Sequence, residues 1–221
     1  MSSETIRRAT PSLNADDLAE ARDALARGRL LVVPTDTVYG IGCDAANPDA
    51  VAAVLAAKGR GRQMPPPVLV ASIDALDSLC VEVPDYARAL ARAFWPGGLT
   101  LILRARPDLG WDLGETGGTI GVRMPDQAAL LALLADVGPM AVTSANLTGH
   151  PPATSVLQAV DYFGDSVSLY LDAGPTASST ASSIVDCTHG LPRVIRAGTI
   201  SLADLSEAAG VAIDALGEGP A

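Results

Sequence analysis

Two groups of polar residues stand out against an apolar background. Thr35, Asp36, Thr37 and Tyr39 follow directly on the apolar run Leu30 to Val33. Lys58, Arg60 and Arg62 then alternate with Gly59 and Gly61. Hydroxyls and cations are the groups that hold phosphates and amino acids, so a cleft shared by these two stretches suits a polyanionic substrate. Lys58 has two readings. It lies on one helical stripe with Val51, Val54 and Leu55, at the i, i+3, i+4 and i+7 positions. It either snorkels out to the last helix carbonyls or turns its charge into a cleft. Arg123 closes the stretch TIGVR, and alone it reads equally well as a surface ion pair. Ser144-Ala145-Asn146 follows another apolar stretch and would pass for an ordinary capping turn.

The elements that must position these residues are legible in outline. Asn14 to Gly28 reads as a first helix, capped by Asn14 and stopped by Gly28, with Leu18, Ala21 and Leu25 facing inward. Leu30 to Val33 is a buried strand that Pro34 ends. Asn47 and Pro48 open the helix that carries Lys58. Further strands are expected at Val68 to Ala71, Leu99 to Leu103, Thr119 to Arg123, Pro139 to Thr143 and Ser168 to Asp172. Helices are expected at Asp85 to Phe94, Ala128 to Val137 and Ser155 to Phe163. GRQMPPP is either a surface connector or a stiff lid. Arg106 to Gly118 is a Gly- and Asp-rich loop, and SSTASS, ending at Ser183, would pass for a flexible connector. A short helix and an acidic tail, Gly217 to Ala221, follow Ile200, and the tail is expected to be frayed. Helices interleaved with strands and strand pairs indicate an α/β domain with a mixed sheet.

Composition narrows the function classes. The 221 residues can bury a sizeable core. The net charge of −10 argues against a mainly electrostatic hold on RNA, though not against a local basic cleft. Cys43, Cys80 and Cys187 lack metal-like spacing, and with His150 and His189 the only histidines no structural zinc site is expected. The cysteines read as small core residues, and His150 reads as a surface residue. No apolar run has the length of a membrane span and MSSETIRRAT has no apolar signal core, so a cytoplasmic protein without membrane contact is expected. Neither a Gly-Lys-Ser/Thr phosphate loop nor a Gly-x-Gly-x-x-Gly fingerprint is present.

Taken in order, PTDTVYGIG, AAKGR, VRMP, SANLTG, SSIVD and VIRAG resemble the motifs of the YrdC/TsaC family, the L-threonylcarbamoyladenylate synthases. The resemblance covers about residues 10–202 and leaves 203–221 as a C-terminal helix and tail rather than a second domain. There are departures. Gly61 and Gly98 stand where relatives have Pro, Thr148 and Ser183 exchange Ser for Thr and Thr for Ser, and Ala71-Ser72 ends its strand without the usual His. The resemblance implies a three-layer α/β domain with a twisted mixed parallel and antiparallel sheet around a deep cleft. It implies synthesis of threonylcarbamoyl-AMP and pyrophosphate from L-threonine, bicarbonate (or CO2) and ATP, with magnesium, for modification of adenosine 37 of tRNA. It assigns Lys58 and Arg60 to the triphosphate and carbamate oxygens. Thr37, Arg123 and Ser182 would hold L-threonine, Arg123 by its carboxylate. Arg60, Thr119, Ser144, Asn146 and Arg196 would hold ATP, with no protein-ligated metal. Partner proteins would then transfer the threonylcarbamoyl group, and tRNA or double-stranded RNA is an implied contact. Two rivals remain. One is an RNA-binding module, the other a carbamoyl-transfer module of the same fold.

Overall fold

The computed structural model describes residues 6–8 and 13–215. The expected frayed tail, Gly217 to Ala221, lies outside them. In chain order the elements are β1 (Ile6–Arg8), α1 (Ala15–Ala26), β2 (Leu31–Val33), β3 (Gly40–Asp44), α2 (Pro48–Ala57), β4 (Val68–Leu69), α3 (Ala75–Leu79) and β5 (Cys80–Val81). Next come α4 (Asp85–Phe94), β6 (Leu99–Ala105), β7 (Thr119–Arg123), α5 (Ala128–Val137), β8 (Met140–Ser144) and α6 (Val156–Phe163). A 3-10 turn (Gly164–Ser166), β9 (Leu169–Asp172), β10 (Ser183–Asp186), β11 (Arg193–Arg196), α7 (Leu202–Ala209) and β12 (Asp214–Ala215) complete the described chain.

The strands form one mixed sheet in the order β1-β9-β2-β3-β8-β4-β7-β6-β10-β11-β12, with β5 paired to β6 off this path. Strand alternation divides its side chains between two apolar layers. Val32, Ala141 and Tyr170 face the layer built with α2, α3, α4, α6 and α7. Their neighbours Leu31, Val33, Met140, Val142, Leu169 and Leu171 face the layer built with α1 and α5. The chain is therefore a mixed α/β domain of three layers, as the motifs implied. Helices α1 and α5 cover only part of their face. Beyond them, Leu69, Thr100, Arg123, Val142 and Ile184 line an open cavity.

Local chemistry accounts for most element ends. The Asn14 carboxamide accepts from Asp17 N at 2.8 Å, and Asn47 accepts from Ala50 N at 3.1 Å. Trp95 fills the corner between α4 and β6, where its indole N–H donates to Leu99 O at 2.8 Å. Six strands are not among the expectations: β1, β3, β5, β10, β11 and β12. Gly40 and Gly42 are β3 residues paired with Ser144 and Val142 of β8, and a Cβ added at either would lie 2.5 or 2.6 Å from a methyl group of Val142. The end of SSTASS is not a flexible connector, because Ser182 is buried and Ser183 begins β10.

Cys43, Cys80 and Cys187 are free and buried. Burial pushes each thiol up to about 12. The unfolded thiols ionise near ~8.5. Between those values the unfolded chain has lost protons that the folded chain retains, so this contribution to stability falls as pH rises above ~8.5. Titration with a chromogenic disulfide at pH 8 is expected to find no fast-reacting thiol in the folded protein and 3 after denaturation. A fast thiol before denaturation would contradict this burial.

Candidate active site

The cavity holds about 290 Å³, and its polar lining comes from seven separate strands and loops. The first wall is the β2–β3 loop. Thr35 Oγ1 donates to Val38 O at 2.6 Å and accepts from Thr37 N at 3.0 Å, which folds Thr35 to Val38 into a tight hydroxyl turn. Tyr39 is buried behind it, with its hydroxyl donating to Gly174 O at 2.6 Å.

Arg123, at the end of β7, meets this loop. Its Nη2 donates to Asp36 Oδ1 at 2.6 Å, its Nη1 to Thr37 Oγ1 at 3.1 Å and its Nε to Gly97 O at 3.0 Å. The guanidinium is therefore charge-matched and largely committed within the protein. Three of its five N–H groups are engaged and two remain. The free carboxylate fork expected from the sequence is in fact a partly occupied one.

Arg60 and Arg196 are different. Arg60 Nη1 donates to Thr143 Oγ1 at 3.2 Å, while its buried Nε has no partner. Arg196 donates to Ser182 O from Nε at 3.0 Å and from Nη2 at 2.8 Å, and to Ser182 Oγ from Nη2 at 3.0 Å. Ser182 Oγ lies 3.0 Å from Thr100 Oγ1. Among the described residues neither arginine has a carboxylate within ion-pair distance. Desolvation by burial lowers the pKa of both, and for Arg196 the charges of Arg123 and Arg60 add to it. Like charges held together out of water favour an anion that fits between them.

Lys58 is not part of this lining. It caps α2 and is 1% exposed. Its ammonium donates to Ser144 O, to Asn146 O at 2.7 Å and to Asn146 Oδ1 at 3.4 Å. Its own carbonyl accepts from Thr148 N at 3.0 Å and from Thr148 Oγ1 at 2.9 Å. Burial and then the Arg60 charge lower its pKa to about 7. The three oxygen acceptors act the other way, because only the ammonium form has a donor for each of them. Both readings of Lys58 thus need correcting: it reaches neither the last helix carbonyls nor the cavity, but the turn after β8.

Asn146 also stays behind the lining. Its Nδ2 donates to Leu147 O at 2.8 Å and to His150 O at 2.9 Å. Thr119 sits in an annex of about 110 Å³ with Pro66, Ile102, Leu113 and Ile120. The annex shares Pro65, Pro67, Thr100 and Ile184 with the main cavity. The structure thus brings Thr37, Arg60, Arg123, Ser144, Ser182 and Arg196 onto one cavity, with Lys58 and Asn146 supporting it from behind and Thr119 next door. Thr100 and Thr143 belong to the lining and escaped the sequence reading. In an apolar run a threonine reads as a strand former, and no local signal marks its direction.

A larger cavity of about 540 Å³ lies beyond the annex, beside Trp111, Arg104 and Arg106. Its cations are already neutralised, Arg104 by Glu82 at 3.4 Å and Arg106 by Asp108 at 2.8 Å. The smaller cavity is the better anion site.

The sequence profile of the Sua5/YciO/YrdC family, described as telomere recombination, matches residues 23–198. The chain belongs to this family. It is 52% identical over 203 residues to a Mycobacterium leprae protein provisionally named threonylcarbamoyl-AMP synthase, spanning 92% of each chain. It is 37% identical to the threonylcarbamoyl-AMP synthase of Bacillus subtilis, over 86% of this chain and 56% of that one. The crystal structure of P. abyssi Sua5 complexed with L-threonine superposes with a TM-score of 0.84 at 30% identity, over 96% of this chain and 62% of that chain. Within this family fold, Lys58 and the Ser144–Asn146 turn form one unit. Lys58→Met keeps the stem but leaves the turn carbonyls without their donor, at about 1–3 kcal/mol for each buried group left unsatisfied. Denaturant unfolding at pH 7 is expected to show such a loss, and unchanged stability would contradict the contact.

Proposed function

We propose that the cavity joins L-threonine, bicarbonate and ATP, and that the protein is a threonylcarbamoyl-AMP synthase serving tRNA threonylcarbamoyladenosine modification. One observation carries the site assignment: Arg60 and Arg196 face the same cavity with no carboxylate partner among the described residues. The names of the relatives point to the same reaction.

The chemistry asks for position and charge more than for a proton relay. The amine of threonine attacks CO2 drawn from bicarbonate and loses a proton, giving a carbamate that is short-lived in water. A carbamate oxygen then forms a bond to the α-phosphorus while the bond to the bridging oxygen breaks and pyrophosphate leaves. A walled cavity that excludes water and aligns the reactants lowers both barriers. Arg60 and Arg196 stabilise the charge that gathers on the phosphates.

The residue roles follow the geometry. Thr37, Ser182 and the two uncommitted N–H groups of Arg123 hold threonine. Ser144 approaches the phosphates, and Lys58 and Asn146 act through it by fixing the turn. The annex takes the adenine between apolar walls, with Thr119 at its side. Among the described residues the cavity lining contains no carboxylate, so magnesium would enter with ATP and be held by phosphate oxygens. Among the described residues no helix is long and apolar enough to cross a membrane.

Mass spectrometry of the nucleotide product, with pyrophosphate counted in parallel, tests this function. Threonylcarbamoyl-AMP is expected only when threonine, bicarbonate and magnesium-ATP are all supplied. Arg196→Gln removes one unpaired cation and is expected to lower kcat/KM by about 10- to 100-fold, the scale of one charge-assisted contact. Pyrophosphate release that ignores threonine, or an Arg196→Gln enzyme of normal rate, would contradict the assignment.

A further inference from the structure

Two segments wall the annex from opposite sides. The strap between α2 and β4 supplies Pro65, Pro66 and Pro67, and the loop between β6 and β7 supplies Leu113 and Thr116. The strap also sends Met64, 45% exposed, to the rim of the main cavity.

Among the described residues, two contacts bind strap to loop. Arg62 Nη2 donates to Asp112 Oδ1 at 2.7 Å, and Glu115 N donates to Arg62 O at 2.8 Å. The loop is shaped to make them. Asp112 Oδ1 also accepts from Gly114 N at 3.1 Å, which holds the carboxylate toward the strap. Gly114 has φ +113°, and a Cβ there would stand 2.6 Å from Arg62 O. Only glycine permits both the conformation and the approach.

We infer that Arg62 and Asp112 form a latch across the nucleotide groove, setting how fast ATP enters and leaves while taking no part in the bond changes. The inference rests on the reading of this groove as the ATP site. Both side chains are about half exposed. An exposed ion pair is weak and is weakened further by salt. Weakness is what a latch needs if it is to open in every catalytic cycle. Arg60 lies two residues before the latch and Met64 two residues after it, so opening the strap moves a phosphate-facing cation and the rim together. The prolines Pro65 to Pro67 stiffen the strap, so that it swings as a piece.

The test uses Arg62→Gln, Asp112→Asn and the exchanged pair Arg62→Asp with Asp112→Arg. ATP dissociation is followed by stopped-flow fluorescence of Trp111, which adjoins Asp112, and steady-state kinetics are measured alongside. Each single variant is expected to release ATP about two- to five-fold faster, the range of an exposed ion pair. KM for ATP rises with it, while kcat, KM for threonine and the melting temperature stay at wild-type values. The exchanged pair restores slow release. Raising KCl from about 50 to about 500 mM speeds release more in the wild type than in the single variants, where only the hold on the phosphates is left to screen. Wild-type rates and salt dependence in the single variants overturn the latch and leave the function standing. A folded wild type that binds no magnesium-ATP overturns the function, and the latch with it.

Discussion

A buried ammonium among backbone oxygens holds the site together. Lys58 ends α2, yet its Nζ reaches Ser144 and Asn146 across the sheet, and its carbonyl takes both the amide and the hydroxyl of Thr148. A buried cation costs much unless it is fully hydrogen-bonded, and here the partners come from one turn. The same contact serves the turn, whose carbonyls point into the protein. Helix α2, β8 and the turn after β8 thereby become one rigid unit. Arg60 leaves this unit two residues later and reaches back to Thr143. Ser144, next to Thr143 in the chain, lines the same cavity. The cation that seemed best placed to face the cavity instead fixes groups that line it.

The charge distribution follows from that arrangement. The chain as a whole carries −10, but among the described residues the cavity lining contributes three arginines and no carboxylate. Arg123 is matched by Asp36 just behind the lining. Among the described residues Arg60 and Arg196 have no carboxylate partner. Low-dielectric walls make their field stronger than the same charges would produce on the surface. An acidic exterior and a cationic cleft favour a small polyanion that can enter over a long nucleic acid that cannot.

Much of the fold was legible where local rules decide. The caps at Asn14 and Asn47, the helices Asp85–Phe94 and Ala128–Val137 and the strand Thr119–Arg123 all follow from nearest neighbours. Strand β3 was not legible, because GIGCD carries no alternation and its glycines answer to Val142 about a hundred residues away. Strands β5 and β12, of two residues each, are too short to show a period. The same divide runs through the site. Ordered motifs pointed to Thr37, Arg60, Arg123, Ser144, Ser182 and Arg196. The helical stripe placed Lys58 inward, but no sequence rule says which carbonyls an inward lysine will meet. Nor could the pairing of Arg123 with Asp36 be read from residues so far apart in the chain.

The central claim is that Lys58 builds the site from behind while Arg60 and Arg196 hold the phosphates. A crystal structure with L-threonine and a non-hydrolysable ATP analogue tests it most directly. The account predicts phosphate oxygens between the two arginine side chains, with Lys58 Nζ still on the oxygens of Ser144 and Asn146. Phosphates bound to Lys58, with the Ser144–Asn146 turn released and Arg196 remote from the nucleotide, would contradict it.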